Sequence, residues 1–108
     1  MPLALKDLFD RMPDAFLPEK AGDLDAVIQF KFSGDEASNW IVTIIDKTCT
    51  AEEGVHDSPT MTFEADSQDY KDIVMGKQNA MSAFMQGKVK LQGDLNLAMK
   101  FAEIFKLG

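Results

Sequence analysis

Apolar residues recur at helical spacing near the N-terminus. There Leu5, Leu8, Phe9 and Met12 form one stripe and predict a helix from roughly Leu3 to Met12. Pro13 is expected to begin its end, because the residue before a proline disfavours helical backbone. Ala15-Phe16-Leu17, then Pro18–Asp23, reads as a connector with a few apolar anchors. The period then changes to two. Asp25–Phe32 sets Ile28, Phe30 and Phe32 on one face and Val27, Gln29 and Lys31 on the other, as a strand does. Ser33-Gly34-Asp35-Glu36 turns the chain into a second strand, Asn39–Asp46, which is apolar on both faces. Such a strand belongs in the middle of a sheet, with helices on one side and something apolar on the other. A weak third strand, Thr48–Glu53, has the small and polar residues that suit an edge. After a loop over Gly54–Pro59, strand Thr60–Ala65 points Met61, Phe63 and Ala65 inward.

The C-terminal third, Ala65–Phe105, is cut into short pieces by Gly76, Gly87 and Gly93. Asp66 or Ser67 can cap a helix, since a short side-chain oxygen accepts the free N–H groups of the opening turn. Tyr70, Ile73 and Val74 follow at helical spacing, and Gly76 stands where a left-handed stop would fall. A second helix is expected from about Asn79 to Gln86, with Met81, Phe84 and Met85 on one side and Gly87 at its end. Lys88–Gln92 alternates as a strand that shows one face to water. Gly93-Asp94 turns the chain, and Asp94 caps a last helix running to about Phe105. In that helix only Asn96, Lys100 and Glu103 are strongly polar, and they share one narrow stripe. A surface helix usually needs an apolar stripe of about 100°. This one is wider, so it is either deeply buried in the core or covered by another helix, a partner, a ligand or a membrane.

Helix, three strands, a return strand, two helices, strand and helix make an α+β pattern. At 108 residues the chain suits one domain over residues 1–108.

The run AFMQGKVKLQGDLNLAMKF (Ala83–Phe101), preceded by ADSQDYKDIVMGK (Ala65–Lys77), closely resembles the sterol-binding domain of sterol carrier protein 2. The features that carry the resemblance are Gly76-Lys77 after the first helix of this region and Ser-Ala-Phe before Gln-Gly-Lys (Ser82–Lys88). A lysine-flanked strand, a Gly-Asp turn and Leu-Ala-Met-Lys (Leu97–Lys100) follow in order. Elsewhere the agreement is in length and pattern, apart from a tryptophan, Trp40, opening a strand. The resemblance implies a five-stranded mixed sheet in the order 3-2-1-4-5, with helices on one face enclosing an apolar tunnel. It also implies a non-enzymatic lipid-binding or lipid-transfer protein with no cofactor, whose ligand is a sterol, fatty acid, fatty acyl-CoA or phospholipid. Spacing and resemblance together nominate Trp40, Met81, Phe84, Met85, Leu97, Phe101 and Ile104 as the tunnel wall.

Charge refines this picture. Residues 1–66 hold 14 acids and 5 bases, whereas 67–108 hold 4 acids and 6 bases, for a net −7. That balance argues against a nucleic-acid partner, which needs a concentrated positive surface. Lys77, Lys88 and Lys90 punctuate the least acidic region. Either they attract anionic headgroups and acyl-CoA phosphates, with transient contact to anionic membranes, or they are solvated residues protecting an edge strand. The 7 methionines and 8 phenylalanines suit an adaptable cavity.

Catalytic chemistry finds little footing. His56 lies in a polar loop beside Asp57 without a nucleophile implied nearby, Cys49 has no basic neighbour, and no His or Cys pair has metal-ligand spacing. The lone cysteine points to a reducing cytoplasm. No apolar run approaches the ~20 residues of a membrane span, and the opening MPLALKDLFDRM does not read as a secretion signal. The family's peroxisomal address is a C-terminal Ser/Ala-Lys-Leu, from which Lys106-Leu107-Gly108 departs. The alternative to a lipid carrier is a protein-interaction or homodimerisation module that docks through the apolar last helix.

Overall fold

The computed structural model describes residues 4–105. In chain order its elements are α1 (Leu5–Ala15), α2 (Pro18–Ala21), β1 (Ala26–Ser33), β2 (Ser38–Ile45), β3 (Thr48–Glu53) and β4 (Met61–Asp66). These are followed by α3 (Ser67–Val74), α4 (Ala80–Met85), β5 (Val89–Gly93) and α5 (Leu95–Ile104). The strands form one sheet in the order β3-β2-β1-β4-β5. β1 and β4 are parallel, and the other neighbours are antiparallel. This is the mixed sheet and the order that the resemblance implied.

Register carries the alternating pattern into the core. Ile28 and Phe30 stand beside Val42 and Trp40 on one flank and beside Met61 and Phe63 on the other. One apolar surface therefore crosses the sheet, and the helices bury it. Phe30 is the meeting point. Its ring centroid lies 5.1 Å from Phe9 of α1, 5.3 Å from Phe63 of β4, 5.8 Å from Tyr70 of α3 and 5.8 Å from Phe101 of α5. Phe9 also stacks on Trp40 at 4.8 Å. Phe101 reaches Phe105 at 4.7 Å, and Phe105 reaches Phe16 at 5.6 Å. Among the described residues every aromatic side chain joins this network except Phe84.

Among the described residues no helix packs on the opposite face of the sheet. Gln29 is buried there, with Nε2 3.1 Å from the Trp40 carbonyl and 3.0 Å from that of Gly54. Its Oε1 accepts the His56 N–H at 2.7 Å. This side chain pins the loop after β3 over Ile41, which is buried, whereas Ile45 beyond the loop is 49% exposed. In place of the apolar cover expected behind the second strand stands a polar loop held by one amide.

The first helix does not stop at Met12. Pro13 lies within it and α1 continues to Ala15, because a proline close to a helix end removes only one hydrogen bond. The Phe16 N–H then closes on the Pro13 carbonyl at 3.4 Å. The expected start at Leu3 lies outside the described residues. Pro18–Asp23, expected as a connector, contains α2, with Pro18 in the first turn where its missing N–H leaves nothing unpaired.

Glu36, in the β1–β2 turn, ties three elements together. α1 has no cap of its own at Ala4. Instead Glu36 Oε2 accepts the Leu5 N–H at 2.6 Å, and Oε1 takes the ammonium of Lys71 from α3. The Glu36 N–H in turn donates to Ser67 Oγ at 3.2 Å. Gly34 permits this approach: it has φ +90°, and a Cβ there would sit 2.3 Å from Asp66 Oδ2. The hydrogen bond from Lys71, and then that from Leu5, hold the Glu36 carboxyl below its ordinary value.

A lowered folded-state pKa means that the stability Glu36 contributes is complete above the unfolded value, about 4.3. It is lost as pH falls through the folded value. Glu36→Ala is expected to cost about 1–3 kcal/mol near neutrality, because it leaves the Leu5 N–H and Lys71 without their acceptor. In urea unfolding, the gap between wild type and variant should shrink once pH drops below about 4. A gap independent of pH would contradict this account.

Candidate functional site

The residues nominated for a tunnel wall divide into two sets. Trp40, Leu97 and Ile104 are buried in the main core, and Phe101 packs against it half-buried. Trp40 presents one face to Phe9, and its indole N–H donates to Ser38 Oγ at 3.0 Å. Leu97, Phe101 and Ile104 come from the inward side of α5, over β4 and β5. Asp94 caps that helix by accepting the Asn96 N–H at 3.0 Å. Its far end is tied to the α1–α2 connection, where the Leu17 N–H donates to the Ile104 carbonyl at 2.7 Å and Phe16 bridges Phe105.

Met81, Phe84 and Met85 form the second set, and the structure does not bring them to the first. They are 60%, 41% and 79% exposed. The side of α4 that meets the sheet carries Ala83, fully buried against Ala65 and Val89. A small residue lets the short helix lie close to β5, and the Lys88 N–H closes onto the Ala83 carbonyl at 2.9 Å. That placement turns the larger neighbours of Ala83 outward. Phe63 and Leu91 touch both the small cluster and the main core, so they mark the seam between α4 and α5.

Two of the three nominated lysines meet in a polar cleft. Lys88 and Lys90 line an open hollow of about 430 Å³ at the end of β1 and β4, together with Lys31, Glu64, Asp66 and Asp69. Lys31 is in register with Glu64 and Glu64 with Lys90, which places a row of alternating charge across three strands. Lys88 Nζ donates to Gln78 Oε1 at 3.3 Å, and Gln78 Nε2 to Asp69 Oδ1 at 3.4 Å. Lys77 is exposed on the turn before α4 and does not line the hollow. Lys31, Glu64, Asp66 and Asp69 were not found from the sequence. Lys31, Glu64 and Lys90 all occupy outward positions of alternating strands, and that signal, combined with the order β1-β4-β5, would have aligned them.

The remaining reactive side chains have structural surroundings. Burial pushes the Cys49 thiol up to about 11, which keeps it from acting as a thiolate. His56 Nδ1 accepts the Ser58 N–H at 3.0 Å and so shapes its own loop. Among the described residues no group of three or more His, Cys, Asp or Glu side chains is arranged to hold a metal. No helix there is long and apolar enough to cross a membrane.

A mixed five-stranded sheet with its helices on one face and an aromatic interior beneath the last of them is the sterol-carrier type of α+β fold. The chain belongs to the SCP-2 sterol transfer family, whose profile matches residues 5–106. Hydroxysteroid dehydrogenase-like protein 2 of Xenopus laevis is 29% identical over 101 residues, which are 93% of this chain and 24% of that protein. The chain therefore spans about a quarter of the length of the curated relatives it matches. Among solved structures, palmitated SCP2L2 from Aedes aegypti superposes with a TM-score of 0.77 at 25% identity, covering 94% of both chains. The sec-alkylsulfatase Pisa1 from Pseudomonas sp. superposes at 0.82 with 22% identity, covering 98% of this chain and 17% of that one.

The two sets should separate in stability measurements. Leu97→Ala removes a buried side chain and is expected to cost about 2–4 kcal/mol. Met85→Ala should stay within about 0.5 kcal/mol of wild type. Urea unfolding of the two variants checks this, and equal losses would mean that α4 is packed inward.

Proposed function

We propose that the chain is a single lipid-binding domain of the carrier or transfer type, without chemistry of its own. The observation that carries this reading is the aromatic and aliphatic interior under α5, in a member of the SCP-2 sterol transfer family. Trp40, Leu97, Phe101 and Ile104 line the site, whereas Met81, Phe84 and Met85 stand apart from it, exposed on α4. The ligand is a fatty acid, fatty acyl-CoA, sterol or phospholipid. A long acyl chain is favoured by the palmitated relative, which shares the fold over nearly its full length. The roles of Cys49 and His56 within the fold support a carrier over an enzyme, and a reducing cytoplasm suits the unpaired thiol.

A permanent void would be costly. At about 24 cal/mol per Å³, a cavity of ~300 Å³ would cost roughly 7 kcal/mol, against a domain stability of ~5–15 kcal/mol. The site is therefore made on demand. α5 rests on β4 and β5, on Phe30 of β1 and on the α1–α2 connection at its far end, and it lifts when a chain enters. Each methylene buried then returns about 0.8 kcal/mol. Lys88 and Lys90, in the hollow at the end of β1 and β4, attract an anionic headgroup or the phosphates of acyl-CoA, with Lys77 close by in sequence. The alternative, docking of a protein through α5, draws on the exposure of Leu95 and Met99.

A ligand that binds only the folded state stabilises it by about 1.4 kcal/mol at ten times Kd, or roughly 5–11 °C in Tm for a domain of this size. A long-chain fatty acid or acyl-CoA should raise the Tm of delipidated protein by several degrees, and short-chain homologues should do much less. Amide exchange should slow most between residues 79 and 105. No response to any lipid would favour the docking alternative.

A further inference from the structure

We propose that Lys71 seats the carboxylate of a long-chain fatty acid, and that Glu36 holds this seat until the ligand displaces it. The proposal rests on the lipid-carrier reading and narrows its ligand to free long-chain monocarboxylic acids. The first observation is where the lysine stands. Ser67, Tyr70, Lys71 and Val74 follow one another at helical spacing. The first three are buried, and Val74 packs against the main core. Lys71 thus occupies an inward position of α3, next to Tyr70, whose ring meets Phe9, Phe30, Phe32 and Phe63. Among the described residues no other charged side chain is buried. A buried ammonium requires an anion beside it, because desolvating an unpaired charge is costly.

The anion now in place reaches in from the surface. Glu36 belongs to the β1–β2 turn, and its side chain is 31% exposed against 10% for Lys71. It can turn out into water, while the lysine stays enclosed. The seat is made for two oxygens. The Lys71 ammonium holds Oε1, and the Leu5 N–H donates to Oε2 at 2.6 Å. Leu5 opens α1, which has no side-chain cap of its own, so the positive end of that helix adds to the ammonium. A fatty-acid carboxylate offers two oxygens to the same two donors. One carboxylate replaces another, and no buried charge is left unpaired.

An apolar path joins this seat to the interior beneath α5. Tyr70 lies 5.8 Å from Phe30, and Phe30 lies 5.8 Å from Phe101. Phe9 stacks on both Tyr70 and Trp40. A chain that touches Trp40 and the inner side of α5 therefore has its polar end at α3. The chemistry of that end selects the lipid. A sterol or fatty alcohol brings a neutral hydroxyl, which leaves Lys71 without a counter-charge once Glu36 has gone. Acyl-CoA carries a thioester where the carboxylate would be, and a phospholipid carries an ester. Lys88 and Lys90 are exposed in their hollow, so they can attract an anion but not receive it in the core.

Titration of delipidated wild type, Lys71→Met and Glu36→Ala with palmitate and with hexadecanol tests the seat. Wild type is expected to prefer palmitate. Lys71→Met keeps an unbranched side chain in the same space and should reduce that preference about tenfold or more. Glu36→Ala empties the seat, so its own Tm falls, and palmitate should raise that Tm further than it raises the wild-type value. Hexadecanol should show no such excess. An undiminished preference in Lys71→Met, or a palmitate response in Glu36→Ala no larger than that of wild type, would overturn the proposal and leave the pair as a clamp for α1. Wild type that binds both compounds equally would remove the proposal alone. Wild type that binds neither would remove the carrier reading and the proposal together.

Discussion

Phe30 sits at the centre of the middle strand, and side chains from α1, β4, α3 and α5 converge on its ring. It lies in β1 between an antiparallel and a parallel neighbour, and the helices meet it from one face. Aromatic contacts of this kind contribute about 0.5–1.5 kcal/mol each beyond area burial. They also tolerate sliding better than interlocked branched side chains, because ring pairs keep favourable energies over a range of offsets and tilts. An interior that must admit a guest without losing the fold is well built from such groups. The elements it joins differ in how firmly they are held. α1 is clamped by Glu36 and α3, whereas α5 depends on its own apolar side and on its ends.

That difference separates a half tied by polar contacts from one held mostly by apolar packing. β1, β2 and α1 form one wall, closed behind by the Gln29 loop. At the other side, β5 is an edge strand, α4 is held by a single alanine, and the seam at Phe63 and Leu91 divides the two clusters. The opening proposed there would break few polar contacts. The exposed methionines beside it, unbranched and polarizable, can follow such a movement.

Much of this was legible in the sequence. Alternation placed each strand within about a residue of its observed limits and pointed Ile28, Phe30, Phe32, Met61 and Phe63 inward. Asp66 and Asp94 cap their helices as expected, and Asn79, read as the start of α4, caps it as well. The sheet order came from the resemblance alone, because periodicity does not say which strands pair. Spacing also misplaced the weight of α4. It marks Met81, Phe84 and Met85 as the apolar side but cannot say that Ala83 is the residue that fits against β5. Glu36 was read as an ordinary turn acid, since its partners Leu5 and Lys71 are 31 and 35 positions away. Contacts set by tertiary distance leave no local pattern.

The central claim is that a lipid chain enters the interior beneath α5. Isotope-filtered NOEs between carbon-13-labelled palmitate and the protein measure this directly. The account predicts contacts from the acyl methylenes to Trp40, Leu97, Phe101 and Ile104. Contacts confined to exposed side chains such as Met85 and Met99, with the inner four silent, would contradict it.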